Sequence, residues 1–248
     1  MTRIVAIPLG YILELLYSFL GNYGLTIILF TVIIRLIIFP LYAAQMKSSR
    51  QMMKVQPKMK EIQTAYAGNP EKMNEKMQEI YRENNIHPAM GCLPLLIQLP
   101  VIWGLFGLLR SPLKYLGDND SMVLAVHESF GWVNDLCQPD QWYILPVIAG
   151  LATYISMKFT TAMTPQAPGG AGASMKAMQY FMPVMIAWMA TTLPAGVSLY
   201  WIISYIFQIF QITFSRRSEK RREEKEAIRQ RESKKLKQTH KKKKTTAV

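Results

Sequence analysis

Arg35 is the residue best placed to do chemistry in this 248-residue chain, and that chemistry is electrostatic. It lies in residues 24–41, GLTIILFTVIIRLIIFPL, where every other residue is apolar apart from two threonines. A run of that length crosses a hydrocarbon core as a helix. A lone arginine inside it costs on the order of 3 kcal/mol by insertion scales. Such a residue faces a protein-lined cavity or marks a polar path. Taken alone, it has a second reading: it snorkels back to the headgroups. Further polar side chains stand in later apolar runs: Gln98, Thr153, Ser156, and then Ser204, Gln208 and Gln211. Each alone reads as a helix-to-helix hydrogen bond. Their joint depth matters more than any one of them.

Other chemistry finds little support. Cys92 and Cys137 fit neither a disulfide framework nor a metal site, and His87, His127 and His240 are isolated, with no carboxylate or cysteine at ligand spacing. No Gly-rich phosphate loop and no nucleophile elbow occurs. The expectation is a non-enzyme with no cofactor and no metal.

The elements that position these residues follow from composition and hydropathy. Half of the residues are hydrophobic, yet the net charge is +13. That combination fits a membrane domain with basic parts outside the bilayer. Residues 216–244 hold fifteen Lys and Arg against five Glu, so most of the excess charge sits in a carboxyl-terminal tail. Sixteen Met and five Trp suit adaptable apolar surfaces and membrane interfaces.

Residues 2–20 are short for a span and contain Glu14. Ile4, Ile7, Tyr11, Leu15 and Phe19 recur at helical spacing, which predicts an amphipathic helix in the membrane interface. A signal peptide is the alternative, but its basic start is only Arg3 and no small-x-small site follows. Residues 24–41 form the first span, with its end placed at Pro40. Residues 47–83 carry eight basic and five acidic residues. There Met52, Val55, Met59, Ile62 and Tyr66, then Met73, Met77 and Ile80, draw a narrow apolar stripe broken at Ala67-Gly68-Asn69-Pro70. This predicts a two-helix hairpin outside the bilayer over 47–86, either self-packed or offering its methionines to a partner.

Residues 92–109 form the second span, interrupted by Pro94 and Pro100; 143–161, 178–193 and 197–214 form the third, fourth and fifth. The 164–174 segment, TPQAPGGAGAS, reads as a flexible loop. The 111–141 loop sets Lys114 against Asp118, Asp120, Glu128, Asp135 and Asp140. Basic residues concentrate on the cytoplasmic side, so hairpin and tail are inside while the amino terminus and the acidic loop are outside. The fold class is therefore all-α and polytopic: five transmembrane helices, an interfacial amino-terminal helix (1–22), a core (23–215) with its hairpin, and a basic tail (216–248).

This topology puts Arg35, Gln98, Thr153, Ser156, Gln208 and Gln211 in the inner part of the membrane. Trp201, Ser204, Gln208 and Gln211 are spaced three, four and three and share a face. The outer halves are apolar apart from Thr191 and Thr192, whose hydroxyls are expected to bond back to their own helix. Polar groups from several helices at one depth imply a pocket open to the cytoplasm and sealed outside. A through-pore would need polar residues at both depths, and five helices offer no pair of inverted halves.

The order of parts resembles the YidC/Oxa membrane protein insertases in their short five-span bacterial form. The strings that carry the resemblance are Arg35 in the first span, QPKMKEIQ (56–63), HPAMGCLPLLIQLPV (87–101), MQYFMPVM (178–185) and LPAGVSLYW (193–201). The likeness covers roughly residues 10–215. It implies a plasma-membrane insertase and chaperone, acting alone or beside the Sec translocon, in which Arg35 sits in a hydrophilic groove open to cytoplasm and lipid. Polar tails of nascent membrane proteins enter that groove, and their apolar segments leave into lipid past Trp201. It also implies that the hairpin, with Met52, Met59, Met73 and Met77, receives clients first. No nucleotide is implied, and a monomer suffices. Tyr205 departs from the family pattern, since a polar residue is expected there; no lipoprotein-type Cys stands near the start, and there is no large outer domain.

The cations of the tail, among them Arg216, Arg217, Arg221, Arg222, Lys241, Lys242, Lys243 and Lys244, suit ribosomal RNA phosphate or anionic lipid. Two other classes remain open on sequence: a small-solute transporter or anion channel centred on Arg35, and a ribosome tether.

Overall fold

The computed structural model describes residues 2–86, 93–111, 120–161 and 170–245. Among these the regular structure is helical, with an isolated antiparallel bridge between Phe130 and Val133. In chain order the helices are α1 (Thr2–Leu20), α2 (Tyr23–Ala65), α3 (Pro70–Glu83), α4 (Leu93–Arg110), α5 (Asp120–Ala125), α6 (Ile144–Thr161), α7 (Gly170–Ala190) and α8 (Ala195–Thr245). Residues Met1–Phe207 form one compact unit; Gln208–Val248, the continuation of α8, form a second.

Helix α1 packs on α2 and α4. Ala6, Leu9 and Leu13 are its buried row. Ile7, Tyr11, Leu15 and Phe19, the stripe read from the sequence, point outward, with Phe19 81% exposed. One face binds the core, and the other leaves these large side chains exposed. Gly21 ends it at φ +59, a left-handed conformation that glycine adopts without penalty. Its N–H donates to Tyr17 O at 2.8 Å. Asn22 then caps α2, its Oδ1 accepting from Leu25 N at 3.0 Å.

Helix α2 does not stop at Pro40. It runs through Pro40 and Pro57 to Ala65. An interior proline costs about 3 kcal/mol, but leaving a helix within lipid would strand several backbone groups. Beyond Pro40, packing holds the helix: Val55 and Met59 bury against Met77, Ile80 and Ile86, with Met52, Ile62, Met73 and Tyr81 at the edge. Asn69 caps α3 by accepting from Lys72 N at 3.1 Å, with Pro70 in its first turn.

Helix α4 also runs through Pro100. Residues 170–174, read from sequence as loop, begin α7, while 162–169 lie outside the described residues. His87, Cys92, Lys114 and Asp118 lie outside them too. Among the described residues, α2, α6 and the 195–215 part of α8 are long and apolar enough to cross a membrane. Residues 6–20 and 177–190 are shorter apolar helices.

One core joins α1, α2, α4, α6, α7 and α8 with the 120–143 loop, centred on Tyr23, Ile27, Phe30, Leu105, Leu108, Leu136 and Tyr200. Lipid is as apolar as these side chains, so close packing and polar satisfaction hold the helices together more than removal of water does. Helices α6 and α7 show this. A Cβ on Gly150 would stand 2.9 Å from Ala187 Cβ. Gly150→Leu is expected to part the two helices and destabilise the fold by about 1–3 kcal/mol, read as a lower melting temperature of the detergent-solubilised protein.

Candidate functional site

The 120–143 loop prepares the site by fastening one end of the bundle. Three of its carboxylates, Glu128, Asp135 and Asp140, accept backbone N–H groups. Glu128 accepts the Tyr17 hydroxyl on one oxygen and Tyr23 N at 2.8 Å on the other, which caps the start of α2. Asp140, 2% exposed, accepts Leu145 N at 2.7 Å, Trp142 N at 3.2 Å and Trp132 Nε1 at 3.3 Å, which caps the start of α6. Backbone carbonyls do the same for α8: Gly196 N donates to Leu136 O at 3.0 Å and Ala195 N to Gln138 O at 2.8 Å. The starts of α2, α6 and α8 therefore lie at one end, and phenyl and aliphatic groups fill it. Phe130 lies so close to Gly24 that a Cβ there would meet its ring at 2.1 Å.

The same loop brings together residues that stand apart in sequence. His127 Nδ1 lies 2.9 Å from Asp135 Oδ2, and Cys137 Sγ is in the same cluster. His127 is not isolated, because the turn at Gly131, φ +61, folds it back. Burial and the neighbouring Asp135 carboxylate push the Cys137 thiol up to about 12. With that value the thiolate fraction near pH 7 is about one part in 10⁵. Cys137 of the metal-free native protein is therefore expected to resist a maleimide at pH 7 and to react promptly once denaturant opens the loop; equal rates would contradict the buried placement.

Arg35 lies on α2 some twelve residues from the capped end, about 18 Å along the axis. Counted from their own ends at the loop, Thr153, Ser156, Ser204 and Gln98 fall at about 13–18 Å. They share a level. The guanidinium is partly buried, and its electrostatic neighbours are three tyrosines, Tyr200, Tyr205 and Tyr42. Among the described residues no Asp or Glu is one of them. Phenol oxygens solvate a cation without neutralising it, so the site keeps a positive charge. Gln98 Nε2 donates to the Tyr200 hydroxyl, Ser204 lies beside the same tyrosine, and Thr153 beside Tyr205. Thr153 Oγ1 also donates to Ala149 O at 2.6 Å. Thr153, Ser156 and Ser204 are each 1% exposed.

Of the six residues read as lining, five thus stand at one level in the first unit, while Gln208 opens the second. Tyr42 and Tyr200 were missed. Tyr42 is seven residues beyond Arg35 and Tyr200 four before Ser204, so each shares a helix face with a residue already singled out. Trp201 is 3% exposed within the core. Met59 and Met77, 1% and 6% exposed, face into the α2–α3 cluster rather than outward, and Met52 and Met73 border it. Thr191 and Thr192 bond back to Trp188 O and Met189 O, as expected from the sequence. In the second unit Phe210 stacks on Phe214 with ring centroids 6.2 Å apart, and Arg217, Arg221, Lys225 and Arg229 are exposed. The other tail cations singled out from sequence lie on the same helix.

Comparison with known proteins decides what this arrangement belongs to. The family model described as "60Kd inner membrane protein" matches residues 15–224. The chain belongs to the YidC insertase family. Among its relatives, "Membrane protein insertase YidC" of Caldanaerobacter subterraneus subsp. tengcongensis is 37% identical over 207 residues, covering 84% of this chain and 91% of that one. "Membrane protein insertase YidC 2" of Listeria innocua is 37% identical over 229 residues, covering 90% and 75%. A solved structure described as "Active YidC insertase crystal structure with the first transmembrane domain resolved" superimposes with a TM-score of 0.61 at 32% identity. It covers 84% of this chain, which spans 44% of that one. The positive level around Arg35 is thus the candidate site of a YidC-family membrane protein.

Proposed function

We propose that this chain is a membrane protein insertase and chaperone that receives the polar tails of nascent membrane proteins at Arg35 and releases their apolar segments into the bilayer. The observation that carries the reading is a cation at mid-bundle depth whose electrostatic neighbours are neutral tyrosines. An acidic client tail supplies the missing countercharge. Across a few ångströms at an intermediate dielectric, that attraction is worth about 3–4 kcal/mol. The capped, apolar end at the 120–143 loop favours a groove sealed outside and open to the cytoplasm. A client then crosses a shortened low-dielectric path, driven by its own hydrophobicity and the membrane potential.

In this reading there are five spans: the first part of α2, then α4, α6, α7 and the first part of α8. The amino terminus with α1 lies outside, and the 47–86 hairpin and the basic end of α8 are cytoplasmic. Tyr42, Tyr200 and Tyr205 close the resting groove over Thr153, Ser156 and Ser204. The tyrosines part when a client enters, and Trp201 meets the departing segment as the helices separate. The hairpin presents Met52 and Met73 at its edge and admits Met59 and Met77 to a client only on opening. From Arg216 to Thr245 the helix is about 45 Å long, and its cations serve ribosomal RNA or anionic lipid. The insertase works as a monomer, with or without Sec.

The test is reconstitution. Purified protein in Sec-free proteoliposomes should protect the acidic amino-terminal tail of a single-span client from external protease, well above empty liposomes. Protection no greater than in empty liposomes, from protein that is folded and correctly oriented, would remove autonomous insertion.

A further inference from the structure

We propose that His127, Asp135 and Cys137 form a divalent transition-metal site of the zinc class, with a fourth position facing the adjoining cavity. His127 Nδ1, Asp135 Oδ2 and Cys137 Sγ lie within 4.8 Å of one another. Donors 2.0–2.3 Å from a tetrahedral ion stand about 3.3–3.8 Å apart. Closing the cluster around an ion therefore needs movements of about an ångström. The donor set is one imidazole, one carboxylate and one thiol. Sulfur and imidazole select zinc-like ions over magnesium and calcium, which take oxygen.

The surroundings fit a built site better than a chance meeting. Asp135 Oδ1 accepts Cys137 N at 2.7 Å, so the carboxylate keeps its second oxygen turned to the imidazole. Leu136 N donates to Glu128 O, and Gly196 N to Leu136 O, which fixes the backbone on both sides. Cys137 Sγ at present donates to Val126 O at 3.3 Å, and coordination would exchange that weak bond for the ion while releasing the thiol proton to solvent. Independently of the cluster, a cavity of about 720 Å³ touches both His127 and Cys137 and is also lined by Arg110, Gln138 and Thr192. Three protein ligands and one open side toward such a space is the pattern of an accessible zinc-type centre. An ion there would tie the two ends of the 127–137 turn together beside the start of α8.

The experiment uses full-length protein without a polyhistidine tag, in detergent, carrying Cys92→Ser so that Cys137 is its sole thiol. Metal-free protein is titrated with Co²⁺ and followed by absorption. The expected result is one Co²⁺ per chain with a thiolate-to-cobalt charge-transfer band and the visible intensity of a tetrahedral site, both displaced by Zn²⁺. Cys137→Ser should lose the charge-transfer band, and His127→Ala should weaken binding at least tenfold. His127 is exposed, so that variant is expected to fold even if changes at buried Cys137 disturb the loop. No charge-transfer band in folded protein, or affinity unchanged in His127→Ala, would overturn the site and leave a His–Asp ion pair beside a buried thiol.

Discussion

Arg35→Glu is expected to cut insertion of a client with an acidic amino-terminal tail by at least about tenfold, and Arg35→Ala by less. Tyr42, Tyr200 and Tyr205 are neutral, so Arg35 sets the sign of the site. Replacing attraction by repulsion at a few ångströms shifts the encounter by several kcal/mol at intermediate dielectric, of which solvent in an open groove screens part. A matched client whose tail carries lysines should respond in the opposite direction and regain insertion with Arg35→Glu. The measurement is protease protection in proteoliposomes, with melting temperature confirming the fold. Equal loss for acidic and basic tails would mean that Arg35 supports structure and not reception.

The second large effect is expected at Asp140. Its carboxylate accepts two backbone N–H groups and the Trp132 indole at the start of α6, while 2% exposed. Asp140→Ala removes a cap and leaves the buried Leu145 N–H without its acceptor, for a loss of about 1–3 kcal/mol. Asp140→Asn keeps one carbonyl acceptor and should recover part of it. Thermal unfolding in detergent reads both. An unchanged melting temperature for Asp140→Ala would show that the 120–143 loop does not clamp the bundle.

Much of the site was legible because burying charge in lipid is expensive. Arg35 announces itself in an apolar run, and Gln98, Thr153, Ser156 and Ser204 could be ranked by depth from span ends alone. The tyrosines could not. An aromatic in a membrane helix reads equally as interface belt, core or lipid-facing residue, and only the register of α2 and α8 turns Tyr42 and Tyr200 towards Arg35. The Cys137 cluster was hidden for another reason: His127 and Asp135 meet through a turn at Gly131, and no local periodicity encodes that. Helix ends depart from the local sequence signals where tertiary forces override them. Pro40 does not end α2: the part before it is apolar enough to cross a membrane, and the part after it packs against α3. Past Phe214, a tail rich in Lys, Arg, Glu and Gln continues α8 because those residues are good helix formers. The methionines of α2 and α3 had two readings, and their burial against each other places them within their own cluster in the resting state.

The most direct measurement is photo-crosslinking from position 98 during insertion. Gln98 is partly buried, touches Tyr200 and stands at the level of Arg35. A photoreactive amino acid there should capture the polar tail of a client arrested part-way, in the same cells where one in place of Val184, 69% exposed on α7, does not. Capture of the tail from position 184 but not from 98 would contradict passage through the Arg35 level and place the client's route outside the bundle.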